Sequence, residues 1–329
     1  MSPPGGAPTP LLAIEDLAVS FATAEGPVSV LEGVDLAILP GQAVGLVGES
    51  GSGKSVTAMS VMRLLPSPPS RVESGRILFR GQDLLQLSAG AMRAVRGDRI
   101  GMIFQEPMTS LNPTFTVGFQ IAEALALHGK VRGAAARERA AALLERVGVG
   151  PPARRLRQYP HELSGGLRQR VMMAIALACD PDLLIADEPT TALDVTIQAQ
   201  ILELIARLRA ELAMSVLLIT HDLGVVAEVC DLVAVMYAGR IVEQAPPALL
   251  FAAPRHPYTL GLMKSAPKLG ERVKLLPTIP GMVPPPGRRG PGCAFVGRCF
   301  RASARCAVEA PLFEPVGPAH EAACWNPLQ

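Results

Sequence analysis

Short apolar runs alternate with helical patterns over roughly the first 245 residues of the chain. Four runs are rich enough in Val, Leu and Ile to predict buried strands: Val44–Val47, Leu183–Ala186, Val216–Thr220 and Val233–Tyr237. Strands that are separated in this way by helical segments are typical of an α/β protein with a largely parallel sheet.

The first strands of the chain follow a different pattern. Apolar residues alternate with polar or small ones from Leu17 to Phe21, a turn is expected at residues 25–27, and apolar positions resume over residues 28–34. Alternation of this kind favours strands with one buried face joined by a tight connection. We therefore expect an antiparallel flank beside the parallel sheet.

Two further segments set the expected domain organisation. Residues from about 106 to 178 have mostly helical periodicity and predict a helical subdomain inserted into the α/β core. The regular pattern then stops near residue 250, where prolines become frequent. We expect one domain over residues 1–250 and a C-terminal extension over residues 251–329.

Composition narrows the class of protein. Hydrophobic residues make up 49% and charged residues 18%, which predicts a folded chain with a sizeable core. The net charge of +2 argues against a nucleic-acid partner held by a strongly basic face. No apolar run approaches the ~18 residues of a spanning helix, and the N-terminus lacks a basic segment ahead of its apolar stretch. We therefore expect a chain that is neither secreted nor membrane-spanning by itself.

A glycine-rich segment after the first predicted buried strand matches the G-x-x-x-x-G-K-[ST] pattern of phosphate-binding loops. It comprises Gly48, Glu49, Ser50, Gly51, Ser52, Gly53, Lys54 and Ser55, and Val56 continues into a helical pattern. Such a loop turns backbone N–H groups toward phosphates at a helix N-terminus. Lys54 is expected to contact the β- and γ-phosphates and Ser55 to bind Mg²⁺. The alternative is a glycine-rich turn without a ligand.

Two other segments have features of a nucleotide site. Asp187 and Glu188 follow a predicted strand, where Asp187 suits Mg²⁺ and Glu188 suits a general base for the attacking water. Taken alone, they could equally cap a helix or lie in a solvated turn. Ser164, Gly165 and Gly166 open a predicted helix whose free N–H groups could bind a phosphate, although an ordinary N-cap is the alternative.

Five segments in one order resemble the ATP-binding subunit of ABC transporters over about residues 10–250. They are GESGSGKS, LSGGL, LLIADEP, the TALD segment of residues 191–194, and Thr220–Asp222. The resemblance implies a P-loop NTPase domain with a parallel-sheet core, an antiparallel β flank and a helical subdomain, followed here by a cysteine-containing extension. It also implies ATP and Mg²⁺ as ligands and ATP hydrolysis as the activity.

The resemblance assigns further roles. Two subunits would sandwich two ATP molecules, each held by one subunit's glycine-rich loop and the other's Ser164–Gly166 segment. Gln105 would contact Mg²⁺ and the water, His221 the γ-phosphate, Asp194 the dimer partner and Phe21 the adenine. Without the family, Gln105 and His221 would more often be structural and Phe21 a core residue.

Two strings narrow the branch. FQEPMTSLNP (residues 104–113) and RHPYT (residues 255–259) resemble the oligopeptide and dipeptide importers, a branch that includes nickel importers. The expected function is the ATPase subunit of a peptide importer, at the cytoplasmic face of the inner membrane. The implied partners are a second ATPase subunit, expected to be a distinct chain, two transmembrane permease subunits and an extracytoplasmic substrate-binding protein.

Other functions remain open at this level. A nickel or other small-solute importer of the same branch would share these motifs. A soluble ABC ATPase acting on DNA or ribosomes is disfavoured, because the chain has neither a long coiled coil between its nucleotide motifs nor a second ATPase unit. A non-catalytic iron–sulfur carrier would not need Lys54, Asp187 or Glu188.

Four of the six cysteines lie close together in the extension. Cys293, Cys299, Cys306 and Cys324 have the spacing C-x5-C-x6-C-x17-C. In a chain without an export signal disulfides are not expected, and a metal could supply the constraint that a segment so poor in periodic apolar residues lacks.

The identity of that metal is not given by the spacing. The C-x2–4-C pairs of zinc sites and the C-x2-C-x2-C run of bacterial ferredoxins are both absent. The resemblance to the importer branch implies a [4Fe-4S] cluster held by the four thiolates, with zinc and unligated thiols as alternatives. Cys179 and Cys230 lie in apolar contexts and are expected to be small buried hydrophobes.

Overall fold

The computed structural model describes residues 9–106, 110–191, 193–265 and 278–329. The chain forms two compact units. The first comprises Met1–Leu85 and Leu218–Gln329, and the second comprises Gln86–Leu217.

Strands occur in both units. They are β1 (Leu12–Thr23), β2 (Gly26–Ile38), β3 (Ala43–Val47), β4 (Ser70–Phe79), β5 (Gln82–Asp83), β6 (Ile100–Ile103), β7 (Leu183–Asp187), β8 (Ser215–Thr220), β9 (Leu232–Tyr237), β10 (Arg240–Ala245), β11 (Glu314–Gly317) and β12 (His320–Ala322). The four predicted buried strands correspond to β3, β7, β8 and β9, each within one residue of the expected bounds.

The helices lie between these strands. They are α1 (Lys54–Val61), α2 (Ala89–Val95), α3 (Val117–Leu127), α4 (Gly133–Arg146), α5 (Pro152–Arg155), α6 (Gly165–Ala176), α7 (Val195–Leu212), α8 (Leu223–Val229), α9 (Pro247–Ala252), α10 (Pro257–Ser265) and α11 (Ala304–Val308). Short 3-10 turns span Leu84–Gln86, Pro160–Glu162 and Val296–Arg298.

The antiparallel flank is present in the first unit. Strand β1 pairs with β2 on one side and with β4 on the other, and both pairings are antiparallel. The alternating apolar side chains of β1 are buried, among them Leu12, Ile14, Leu17 and Val19. The predicted flank is therefore confirmed, with period-2 burial as the physical basis.

The first unit also contains parallel pairing. Strand β3 runs parallel to β9 from Val44 to Val47, and every residue of β3 is buried. Strand β10 then returns antiparallel to β9. A strand buried along its whole length requires a continuous apolar run, which is what the sequence shows at this position.

The C-terminal extension joins the same sheet. Strand β12 pairs antiparallel with β10, and β11 pairs with β12. Glu243 of β10 is fully buried and accepts hydrogen bonds from the Arg255 and His256 N–H groups. It also shares a 2.7 Å contact with the His320 ring of β12. These bonds satisfy a buried carboxylate and fix both ends of the extension.

The second unit holds the parallel pair β6 and β7 together with most of the predicted helical segment. Helix α3 buries Val117, Ile121 and Leu125, which are spaced four residues apart on one face. Its N-cap Thr116 accepts a hydrogen bond from the Phe119 N–H. None of the described helices is both long and apolar enough to span a membrane.

Candidate functional site

The phosphate loop leads from β3 into helix α1, as the strand–loop–helix pattern predicts. Gly53 is the N-cap of α1 and has φ of 110°, a backbone conformation that only glycine adopts without strain. The Thr57 N–H and hydroxyl both bond to the Gly53 carbonyl. The helix therefore begins directly at Lys54, with its N-terminal N–H groups at the loop.

Lys54 is buried, and the phosphate loop turns around its ammonium group. Its ammonium group donates to the Gly48 carbonyl at 2.8 Å and to the Glu49 carbonyl at 3.0 Å. Both acceptors belong to the loop itself, so the lysine holds the backbone in a closed turn. Buried ammonium groups need such partners because desolvation is costly.

The loop approaches the end of β9 closely. A Cβ at Gly48 would lie 2.2 Å from the Met236 carbonyl oxygen, so no larger residue fits without backbone movement. The Gly239 N–H donates to the Ser52 carbonyl at 2.7 Å. The Ser52 hydroxyl is buried and has no hydrogen-bond partner among the described residues.

These features fit a nucleotide phosphate. The loop has glycines, an enclosed ammonium group and a helix N-terminus, three features that favour the binding of an anion. The residues of the first unit are therefore compatible with the ATP that the resemblance implies. Their individual roles stay predictions.

In the second unit, the two acidic residues lie at the end of β7. Asp187 is the last residue of the strand and is buried. Glu188 follows with φ of 46°, the left-handed region that non-glycine residues seldom occupy. Backbone strain of this kind is often found at functional positions.

Glu188 meets two side chains. The Gln105 amide donates to Glu188 Oε2 at 3.2 Å, and the Thr191 hydroxyl donates to the same oxygen at 2.8 Å. Gln105 follows β6 by two residues, and β6 is parallel to β7, so both side chains leave the same edge of this pair. The sequence singled out Gln105 and Glu188, whereas the contact with Thr191 was not predicted.

The Ser164–Gly166 segment opens helix α6, as expected. Ser164 is the N-cap and is exposed, and its side chain makes no capping hydrogen bond. Asp194 is the N-cap of α7 and accepts a hydrogen bond from the Ile197 N–H at 3.0 Å. The structure thus gives Asp194 a capping contact besides the predicted dimer role.

The remaining predicted side chains lie in the first unit. His221 directly follows β8 and is exposed. Phe21 is half-buried in β1, opposite Val28 of β2. In the segments that resemble ABC transporters, residues 107–109 of FQEPMTSLNP and Ala192 of TALD lie outside the described residues.

Residues of the extension contact the phosphate loop, which the sequence did not indicate. Arg298 forms an ion pair with Glu49, with Nη1 2.7 Å from Oε2. The Glu49 N–H donates to the Tyr258 hydroxyl at 2.8 Å. Tyr258 belongs to the RHPYT segment and Arg298 directly precedes Cys299. Neither position lies in a hydrophobic period that would have indicated a contact with the phosphate loop.

The four extension cysteines are brought together around one small cavity. Cys293, Cys299, Cys306 and Cys324 line it, with Phe295 and Trp325 among the neighbours. All four are free thiols. Within the described ranges, however, no group of three or more His, Cys, Asp or Glu side chains is arranged to hold a metal ion. The predicted [4Fe-4S] cluster on these four cysteines is therefore wrong.

The four thiols differ in their surroundings. Burial raises the pKa of Cys293 and Cys299, and raises that of Cys324 to about 11, whereas the pKa of Cys306 is lowered because its hydrogen bonds outweigh its burial. Cys306 contacts the Ser303 hydroxyl and the Asn326 amide.

Packing supplies the constraint that the cluster was expected to give. The rings of Tyr237, Tyr258 and Phe295 form a buried cluster with centroids 4.6–5.4 Å apart. Strand β12 adds its pairing with β10. The extension is thus anchored by the core of the first unit.

Two family models match the chain. The model for ABC transporters covers residues 31–191, and the model for the oligopeptide/dipeptide transporter C-terminal region covers residues 242–306.

Curated relatives match nearly the whole length. A protein of Sinorhizobium fredii named as a probable peptide ABC transporter ATP-binding protein is 54% identical over 96% of this chain and 95% of its own. A protein of Brucella abortus named for peptide import and ATP binding is 51% identical over 94% and 92%.

Solved structures agree in fold. The dimeric ATP-binding cassette MJ0796, in a post-hydrolysis state with ADP and Pi, has a TM-score of 0.65 and 27% identity, covering 72% of this chain and 98% of that one. The protein cbiO1 of Clostridium perfringens, part of an ABC transporter complex, has a TM-score of 0.63 and 29% identity, covering 74% and 91%. The two family models and the relatives matched over nearly the whole chain show that it belongs to the ATP-hydrolysing subunits of ABC transporters, in the branch with the oligopeptide/dipeptide transporter C-terminal region.

Proposed function

We propose that this chain is the ATPase subunit of an importer of dipeptides or oligopeptides. The observation that carries the proposal is the 54% identity over 96% of the chain to a relative named for peptide transport. The similarity includes the extension, which the family model for oligopeptide/dipeptide transporters matches. A nucleotide-binding domain alone would not separate this branch from other ABC ATPases.

The phosphate loop and Lys54 bind the nucleotide. Bound ATP with Mg²⁺ supplies a γ-phosphoryl group that is transferred to water. The loop N–H groups and Lys54 hold the phosphates, and Ser55 provides a hydroxyl ligand for Mg²⁺. Hydrogen bonds to two loop carbonyls hold the Lys54 ammonium group at the loop.

Glu188 acts as the base for the attacking water, and Gln105 and Asp187 belong to the Mg²⁺ environment. A base must accept a proton from water at a fixed place, so its carboxylate has to be oriented. The hydrogen bonds from Gln105 and Thr191 to the same oxygen of Glu188 provide that orientation.

The remaining predicted residues act in nucleotide binding. Phe21 stacks on adenine, and His221 contacts the γ-phosphate. The Ser164–Gly166 segment, exposed at Ser164 and Gly165, presents helix N–H groups to the ATP of a second ATPase subunit, with Asp194 at the dimer contact. The exposure of Ser164 and its lack of a capping bond support this role, because its hydroxyl is available to a ligand.

The chain works with other subunits. We place it at the cytoplasmic face of the inner membrane, bound to two permease subunits and served by an extracytoplasmic substrate-binding protein. The second ATPase is a distinct, related chain. ATP binding closes the ATPase pair and hydrolysis resets it.

The test is transport by the assembled complex in lipid vesicles with its binding protein. ATP-dependent uptake of a labelled dipeptide or tripeptide, lost when Glu188→Gln replaces the wild-type chain, is the expected result. ATP-dependent uptake of Ni²⁺ without uptake of peptides would overturn the cargo. A purified chain that fails to bind ATP would overturn the ATPase assignment.

A further inference from the structure

Glu49 of the phosphate loop is held at two points by the C-terminal extension. Its carboxylate receives two hydrogen bonds from Arg298, Nη1 to Oε2 at 2.7 Å and Nη2 to Oε1 at 2.9 Å. Its backbone N–H donates to the Tyr258 hydroxyl at 2.8 Å. Side chain and backbone of one loop residue are thus both fixed from a segment about 200 positions or more along the chain.

All five N–H donors of the Arg298 guanidinium have acceptors. A guanidinium has five N–H donors, and here the other three lie within hydrogen-bond distance of oxygens of Pro280, Ile279 and Tyr237. The side chain is 6% exposed, and its partner Glu49 is 30% exposed. Bidentate, charge-assisted pairs of this kind are the strong and directional ones.

Two aromatic rings lie beside the guanidinium of the Arg298–Glu49 ion pair. The Arg298 guanidinium lies 5.8 Å from the Tyr237 ring centroid and 5.9 Å from that of Phe295. Tyr258 packs on both rings and is fully buried. Contacts with aromatic rings restrain the orientation of the guanidinium. Arg298 therefore presents two N–H groups to the Glu49 carboxylate in a fixed geometry.

The fixed residue lies at a critical point of the loop. The Glu49 carbonyl is one of the two oxygens that accept the Lys54 ammonium group. A loop with glycines at positions 48, 51 and 53 has high backbone entropy, which binding must remove unless the fold has removed it beforehand. Restraint at Glu49 therefore also restrains the lysine and the turn.

We propose that Arg298 and Tyr258 of the extension are positioning residues for the phosphate loop, which hold it in the conformation that binds ATP. The inference rests on the proposed ATPase function. In this arrangement the extension supports the nucleotide site through the phosphate loop. ATP affinity is then expected to depend on Arg298, which acts through Glu49 and not by contact with the nucleotide.

The test is ATP affinity of the purified full-length chain, measured by titration with a fluorescent ATP analogue. Arg298→Gln is expected to weaken binding about tenfold, since coupling energies between linked sites are typically of this size. Arg298→Lys keeps the charge but loses the fork, and an intermediate loss is expected. In the double variant with Glu49→Gln, the loss should be no larger than in Arg298→Gln alone.

Arg289→Gln is the matched control. Arg289 also lies in the extension, is 8% exposed and pairs with a Glu32 that is 26% exposed, with the two charged groups 3.1 Å apart. Its described contacts are with Glu32 and the Val30 carbonyl, not with the phosphate loop. We expect a comparable loss of thermal stability and less than about a twofold change in ATP affinity.

A second readout separates positioning from general stability. Hydrogen exchange of the Glu49 amide should speed up in Arg298→Gln and in Tyr258→Phe at temperatures where both remain folded, but not in Arg289→Gln. Unchanged ATP affinity in Arg298→Gln, or a loss equal to that of Arg289→Gln, would overturn the inference. A wild-type chain that does not bind ATP would instead overturn the proposed function.

Discussion

The Gln105 side-chain amide donates a hydrogen bond to Glu188 Oε2 at 3.2 Å. The two residues are 83 positions apart and follow neighbouring parallel strands, β6 and β7. The carboxylate that we propose as the general base is thus held by a neutral donor, which orients it without adding a charge. The Thr191 hydroxyl bonds to the same oxygen at 2.8 Å.

Glu188→Gln removes the proposed base and keeps the side-chain shape. We expect ATP turnover of the assembled complex to fall by about 100-fold or more, because a general base typically contributes this much. ATP affinity should be retained. Phosphate release and nucleotide titration measure the two effects, and the exposed Glu203→Gln on α7 is the control. Turnover close to wild type in Glu188→Gln would contradict the role.

Thr191→Val removes the hydroxyl that donates to Glu188 and leaves a side chain of similar shape. The loss of one hydrogen bond to a charged group should reduce turnover about three- to tenfold, with little change in ATP affinity. Thr191→Ser retains the hydroxyl and should restore most of the activity. Steady-state turnover of the three complexes is the measurement, and equal rates in all of them would exclude an orienting role.

Lys54→Ala removes an ammonium group that bonds the Gly48 and Glu49 carbonyls. We expect the nucleotide-free chain to lose about 1–3 kcal/mol of unfolding free energy, because buried carbonyls lose their donors. ATP should no longer raise the melting temperature, as it should for the wild-type chain. Thermal unfolding with and without ATP tests both statements. A variant that ATP still stabilises would refute the binding role of Lys54.

Gly48→Ala places a methyl group 2.2 Å from the Met236 carbonyl oxygen. The backbone must move to relieve this contact, so we expect a loss of about 2 kcal/mol in stability together with weaker ATP binding. Gly90→Ala in α2 is the control, because its Cβ would meet nothing closer than 4.0 Å. That variant should be neutral or more stable by up to about 1 kcal/mol. Denaturant unfolding compares the pair.

Burial lowers the pKa of His256 to about 3, and its Nδ1 accepts the Tyr258 N–H. Below about pH 6.5 the unfolded chain protonates this histidine while the folded chain does not, so stability falls as pH falls from 6.5 toward 3. From pH 7 to pH 5 this group should cost about 2 kcal/mol of unfolding free energy.

The variant His256→Asn keeps an acceptor for the Tyr258 N–H and removes the titration. It should lose about 2 kcal/mol less than the wild-type chain between pH 7 and pH 5. The exposed His161→Asn serves as the control and should show the wild-type pH dependence. Urea unfolding at the two pH values tests the difference. Identical pH dependence in all three chains would mean that folding does not lower the pKa of His256.

The predictable parts of the molecule are those with a local signal. Strand β3, the loop from Gly48 and helix α1 follow one another without interruption, so the apolar run and the glycine spacing predicted them together. Glu188 was found because it follows a buried strand. Its bond from Thr191 and the strain in its backbone were not, since both depend on how the chain turns after β7.

The C-terminal extension is the part of the fold that the sequence predicted least well. Its prolines and cysteines predicted a segment without its own core, and a metal cluster to hold it. The structure instead attaches it through β12, the buried Glu243 and the aromatic cluster around Phe295. The strand β12 is three residues long and carries no period that could be recognised in the sequence.

The sequence by itself determined the α/β class, the phosphate loop and the family. These reside in contiguous residues, whose backbone conformation and hydrophobic period act over a few positions. Only the tertiary structure decided that Arg298 holds Glu49 across 249 positions and that the four cysteines line a cavity without forming a metal site. Contacts between distant segments depend on the packing of the whole core, which no local pattern specifies.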